Sequence, residues 1–207
     1  KREYLQKQDL MIIDIMTNNA KQGWKRPIYF AITIPTSSYI GLNDFFQLEG
    51  MAYRVVPIQN QRQRGNEVIN RDKMYKTLTE VYRLRGLNDK DVYFNADIKR
   101  MIGNLRHNYI RLATDYLEEV DAKEGRDLMV EGDSAKVSLD PAEKQALLKK
   151  ATTLLEFAEK NISDDVIRTE AYYLAQFARV YIAAGNKEHG KKLLETSWKR
   201  AVEDLNY

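Results

Sequence analysis

The chain lacks several things that would narrow its chemistry. It has no cysteine, so disulfides, thiol catalysis, zinc–thiolate sites and iron–sulfur clusters are excluded together. Two histidines, His107 and His189, stand far apart with no ligand-spaced neighbour, so no metal site is expected. The ten glycines never assemble into Gly-x-Gly-x-x-Gly or a Walker loop, and no Gly-x-Ser-x-Gly elbow occurs. No run approaches the roughly 20 apolar residues that span a bilayer. The charge excess is small, 33 basic against 30 acidic side chains, which gives no footprint for nucleic acid. It is uneven, however: residues 1–110 carry 18 basic and 11 acidic side chains, and residues 111–207 carry 15 and 19. No signal peptide opens the chain, and its first residue is Lys1; it reads as a piece of a longer polypeptide.

What is present is a 207-residue chain with 43% hydrophobic and 30% charged residues, enough for a core and ordinary for a globular protein. Glu3 to Lys21 reads as a helix through Leu5, Leu10, Ile13 and Met16, stopped by Asn18, Asn19 and Gly23. The β-branched and aromatic run from Arg26 to Pro35 predicts a strand, Leu42 to Leu48 a short helix, and Tyr53 to Ile58 a second strand. The polar stretch Gln59 to Asn70 predicts a loop, and Arg71 to Leu84 a helix.

Beyond that the pattern is helical. Asp97 is the expected N-cap of a helix whose stripe runs Ile98, Met101, Ile102, Leu105, Tyr109, Leu112, Ala113, Tyr116 and Leu117. Residues 121–139 read as a long exposed loop. Asp140-Pro141-Ala142-Glu143 is a helix start: the carboxylate can accept from orphan amides, and proline costs nothing at the first helical position. That helix runs to about Lys160. Ser163 is the expected cap of the next, which ends at Gly185, and a last helix covers Glu188 to Leu205.

Self-comparison reveals a degenerate repeat. Tyr109-x2-Leu112-Ala113-x2-Tyr116 aligns with Leu174-x2-Phe177-Ala178-x2-Tyr181, and Ala151-x3-Leu155-x2-Ala158 with Gly190-x3-Leu194-x2-Ser197. The pattern resembles the two helices of a tetratricopeptide repeat, where a small residue admits the partner helix. The units start 65 residues apart, against roughly 34 in that repeat, so the array is irregular. The expected fold class is therefore mainly α: irregular tetratricopeptide-like helical repeats over residues 71–207, preceded by a small α/β section with two short strands over residues 1–70. The side of such an array that binds extended peptides would carry His107, Arg111 and Thr114 in the first unit and Tyr172, Gln176 and Arg179 in the second.

A longer string carries a family resemblance. Trp24-Lys25-Arg26-Pro27-Ile28-Tyr29-Phe30-Ala31, then Gly41-Leu42, then Gln47-Leu48-Glu49-Gly50 with Tyr53-Arg54-Val55-Val56-Pro57 resembles the region after the last membrane span in a family of multi-spanning proteins of Bacteroides-type bacteria. That family is related to lumenal-facing protein O-mannosyltransferases. Lys73-Met74-Tyr75, Asp91-Val92-Tyr93, and Arg100-Met101 followed by Asn104-Leu105-Arg106 extend the similarity. The resemblance implies that the parent is a membrane-embedded glycosyltransferase of the GT-C kind using a lipid-phosphate-linked sugar. Its catalytic acidic residue would lie among the spans, outside this chain. This chain would be its non-catalytic domain on the periplasmic side of an inner membrane, positioning acceptor protein or supporting assembly, with no catalytic residue, cofactor or metal of its own. Its partners would be the membrane-spanning part of the same polypeptide and an acceptor protein or peptide. Asp133-Ser134-Ala135 resembles the Asp-Ser/Thr-small acceptor of periplasmic O-glycosylation in the same bacteria, which makes Ser134 a candidate modification site. The rival readings are a free-standing peptide-binding scaffold unrelated to glycosylation, and a soluble enzyme without a recognisable motif.

Overall fold

A computed structural model describes residues 4–60, 68–123 and 140–205. The chain divides into two compact units, Lys1–Thr77 and Leu78–Tyr207. The architecture is mainly α with a small α/β part at the start.

The first unit opens with α1 (Lys7–Lys21). Its stop lies where the asparagines and glycine predict it. Gly23 takes a positive φ of 71°, and the Asn19 amide brackets the following chain: Nδ2 donates to the Arg26 carbonyl at 2.6 Å, and Oδ1 accepts from the Arg26 amide at 3.1 Å. The expected apolar face does not point inward. Leu5, Leu10 and Ile13 are exposed, and the buried residues of α1 are Asp9 and Asn19. Polar anchors rather than apolar spacing orient this helix.

Four short strands follow among the described residues, where two were expected: β1 (Tyr29–Ala31), β2 (Phe46–Leu48), β3 (Ala52–Val55) and β4 (Val68–Ile69). Their order is β1-β3-β2-β4. The two expected strands pair antiparallel, with Phe30 opposite Tyr53. The helix expected over Leu42–Leu48 is a correction: a single 3₁₀ turn, Asn43–Phe45, delivers the chain into β2. Phe46 and Leu48 lie opposite Val55 and Tyr53, so burying alternate residues on one sheet face outweighs the helical spacing. That face carries an aromatic cluster: Phe46 stacks on Tyr53 at 5.4 Å and meets Tyr39 edge-on at 4.9 Å. Gly50 turns the β2–β3 hairpin with φ 82°, a conformation that favours glycine. The loop expected over Gln59–Asn70 falls largely outside the described residues, and its end is β4. The helix expected to reach Leu84 is α2 (Arg71–Lys76), which passes into a wider π turn, Thr77–Val81.

The second unit holds α3 (Ala96–Lys123), α4 (Pro141–Asn161), α5 (Ala171–Ala183) and α6 (Lys187–Leu205). The cap of α3 is Asn95, not Asp97: Asn95 Oδ1 accepts from the Ile98 amide at 2.9 Å, and Asp97 pairs with Arg100 at 3.1 Å. The buried stripe of α3 starts only at Leu105, since Ile98 and Met101 are exposed. At the start of α4, Asp140 accepts from the Ala142 amide and Pro141 occupies the first helical position, as the sequence predicts. Ser163 does not cap α5. It starts a single turn, its carbonyl accepting from the Ile167 amide at 3.0 Å, and α5 begins at Ala171 after Glu170. Gly185 ends α5 with φ 91°, and the Asn186 amide reaches back to the Tyr181 carbonyl at 2.8 Å, the bonding of a Schellman stop. Helix α3 packs on α4, α5 packs on α6, and α5 also contacts α3 and α4. Tyr109, Leu112, Leu154, Leu155, Val180 and Tyr181 fill the middle.

Candidate functional site

In the first unit, four side chains meet around one carboxylate. Glu49 follows β2 at the mouth of the β2–β3 hairpin, and its side chain is 1% exposed. Tyr29 on β1 and Arg54 on β3 are register partners on the sheet face opposite the aromatic cluster. Tyr29 Oη donates to Glu49 Oε2 at 2.9 Å, and Arg54 lies 3.5 Å from Oε1. Asn70 has two roles. Its Oδ1 accepts from the Lys73 amide and caps α2, while its Nδ2 donates to Glu49 Oε1 at 3.2 Å. Lys73, on the first turn of α2, forms an ion pair with Glu49 Oε2 and donates to Tyr29 Oη at 2.9 Å.

The chemistry follows from this count of partners. Both Glu49 oxygens are occupied by donors, so the carboxylate has no lone pair directed at a substrate. Hydrogen bonds to Glu49 and then to Tyr29 hold the Lys73 ammonium above its ordinary value, so Lys73 stays charged and offers no base. Lys73 and Arg54 keep 44% and 38% of their side chains exposed. The cluster is a clasp: it fastens the hairpin to β1 and to the start of α2, and shows two cations and a phenol at the surface.

The second unit has two polar networks that join its helices. Arg106 on α3 is buried and, among the described residues, forms no ion pair with a carboxylate. It donates to the carbonyls of Ile167 at 2.6 Å and Ile162 at 3.3 Å, covering the end of α4. Desolvation lowers its pKa to about 10. Next to it Asp164 accepts from the Thr169 amide at 2.8 Å and from Arg200 of α6; these partners outweigh desolvation and hold its pKa well below the usual range. The other network links three helices. Tyr181 Oη donates to Glu159 Oε2 at 2.5 Å, and His189 Nε2 lies 3.2 Å from Oε1. A cleft of about 180 Å³ opens between these networks, lined by Arg106, Glu159, Asp164, His189 and Lys192. Its carboxylates already hold donors from within the unit.

The six residues expected to line a peptide groove are placed as follows. His107 on α3 meets α5 through Tyr173, with ring centres 6.0 Å apart, and Tyr173 also lies over Gly103. Tyr172 is 58% exposed and packs edge-on against Tyr173 at 5.5 Å. Arg111 donates to Asn108 at 3.4 Å. Thr114 and Gln176 are half-buried, and Arg179 is exposed. The structure thus joins His107 and Tyr172 through a residue the sequence pattern passed over. Tyr173 could have been found as the aromatic next to Tyr172 at the start of α5. Ser134 lies outside the described residues. Among the described residues no group of three or more His, Asp or Glu side chains is placed to hold a metal ion, and no helix is long and apolar enough to cross a membrane.

Residues 1–73 match the family described as TMEM260-associated domain 2, named for an O-mannosyltransferase-like membrane protein. The match spans every member of the Glu49 clasp. No curated protein and no solved structure matches the chain.

Proposed function

We propose that this chain is a non-catalytic, extracytoplasmic domain of a membrane-embedded glycosyltransferase of the GT-C kind, and that it positions acceptor protein for the membrane-borne active site. One observation carries the reading. The span that matches TMEM260-associated domain 2 includes Tyr29, Glu49, Asn70 and Lys73, which close on one another as a single clasp. The resemblance of Trp24 to Pro57 to the post-membrane region of that glycosyltransferase family points the same way. The clasp supports a holding role, because its groups are engaged with each other and none is free for proton transfer.

The helical hairpins of the second unit supply the surface for an acceptor. Stacked helix pairs of the tetratricopeptide type present one side to extended peptides. Here that side offers exposed Tyr172 and Arg179, with Tyr172 packed on Tyr173 and Tyr173 on His107, a mix of aromatic and cationic groups suited to a peptide backbone and acidic side chains.

The test is made on the native protein. An antibody to this domain is used to fractionate source cells, and protease is added from the outer side of the inner membrane. A large integral protein whose epitope is cut from outside supports the reading. A small soluble cytoplasmic species overturns it and leaves a free-standing peptide-binding scaffold. Under that second reading Arg179→Glu abolishes capture of a peptide partner while the domain stays folded.

A further inference from the structure

Helix α6 has one side too many. Gly190, Leu193 and Ser197 are buried, and Ser197 Oγ donates to the Ala171 carbonyl at 2.7 Å. Leu194, Trp198, Val202 and Leu205 are exposed by 42%, 72%, 39% and 85%. Their spacing of four, four and three places them in one stripe about 16 Å long beside the buried one. The side of a helix that faces water is normally polar. Here the face is apolar and holds a tryptophan.

The charges beside the stripe say what covers it. Glu195 and Lys199 share its solvent flank, one turn apart, and among the described residues neither has an ion-pair partner within the chain. Lys187 and Lys191 lie at the start of the stripe; Glu203 and Asp204, near its end, are held by Arg168 of the same copy at 3.0 Å each. This order is self-complementary only when two copies run antiparallel. A two-fold axis near Trp198 brings Trp198 against its own counterpart and Leu194 against the second copy's Val202. It also sets Glu195 beside the second copy's Lys199, and the reverse. Lys187 and Lys191 of one helix then meet the C-terminal end of the other, favourable for the helix dipole. A parallel pair would put lysine against lysine.

We propose that this chain forms a two-fold dimer through antiparallel α6 helices. The contact is isologous, each copy giving the same patch. Each copy gives a single row of four apolar side chains, so the dimer is weak and depends on concentration. The inference rests on the second unit alone and stands apart from the glycosyltransferase reading.

Sedimentation equilibrium on the full chain over a wide concentration range tests it. The wild type shifts from monomer to dimer, and Trp198→Glu stays monomeric with unchanged helical circular dichroism. Glu195→Lys weakens the dimer at least severalfold, because it sets two lysines against each other. Adding Lys199→Glu to that variant restores association, which no loss of folding could produce. The proposal is overturned by a wild type that is monomeric throughout. It is equally overturned by a dimer that survives Trp198→Glu, by a charge swap that fails to rescue, or by a monomer whose Trp198 fluorescence shifts only on lipid vesicles.

Discussion

Gly190 of α6 and Ile182 of α5 touch where there is no room for a side chain. A β-carbon on Gly190 would stand 2.5 Å from Ile182 Cγ1 and 3.1 Å from the Ala178 carbonyl oxygen. Only a small residue fits at this crossing of α5 and α6. Gly→Ala in a helix ordinarily gains up to about 1 kcal/mol from propensity. At Gly190 overpacking of about 1–3 kcal/mol opposes it, so Gly190→Ala leaves the protein less stable or unchanged. Gly103 on α3 is the control. Its β-carbon would meet the Tyr173 ring at an ordinary 3.7 Å, so Gly103→Ala stabilises. Urea denaturation of both variants checks the contrast, and a stabilised Gly190→Ala would mean α5 and α6 sit farther apart.

Leu112 of α3 and Leu155 of α4 are both fully buried. Each changed to alanine is expected to cost about 2–5 kcal/mol, the range for a large side chain lost from a packed core. Thermal unfolding of the two variants gives the numbers. A change below about 0.5 kcal/mol, the surface range, would contradict the packing of α3 on α4.

These two sites were legible because their signals are local. A small residue at the helix crossing, a leucine in a 3-and-4 stripe, proline after aspartate and glycine at a helix end each act within a few residues. The misses share the opposite cause. Strand β2 reads as helical until its partner β3 is known, and α1 is oriented by Asp9 and Asn19, polar residues that an apolar pattern ignores. The Glu49 clasp joins positions 20, 21 and 44 residues apart. Tyr29, Glu49, Arg54 and Lys73 stand in the motifs that carry the family resemblance and Asn70 does not, but nothing in their spacing says that they converge.

The clasp predicts energetic coupling between Glu49 and Lys73. Removing the cation leaves a buried carboxylate with Tyr29, Asn70 and Arg54. Removing the carboxylate leaves Lys73 and Arg54, which can both turn to water. Fully buried pairs lose about 3–5 kcal/mol when one partner goes, and exposure of both cations reduces that here. Lys73→Met, Glu49→Gln and the double variant form a cycle whose interaction energy is expected at about 1 kcal/mol or more. Chemical denaturation measures it. A coupling near zero would reduce the clasp to a set of independent surface contacts.

Acid should undo the helical unit in two separable steps. His107 has a buried Nδ1 without a partner among the described residues, and desolvation lowers its pKa from 6.5. The unfolded chain therefore takes up this proton first, and stability falls as pH drops below about 6.5. His107→Phe flattens that limb. Asp164 behaves in the opposite sense. Its hydrogen bonds to Arg200 and Thr169 depress its folded pKa, so its contribution is complete above about 3.9 and fades as pH falls through the folded value. Asp164→Asn lowers stability at neutral pH, and the gap to wild type closes only under strong acid. Melting temperatures from pH 8 down to the acid transition read both limbs. If His107→Phe leaves the upper limb unchanged, another group drives it and the contact of His107 with Tyr173 is not what keeps this histidine neutral.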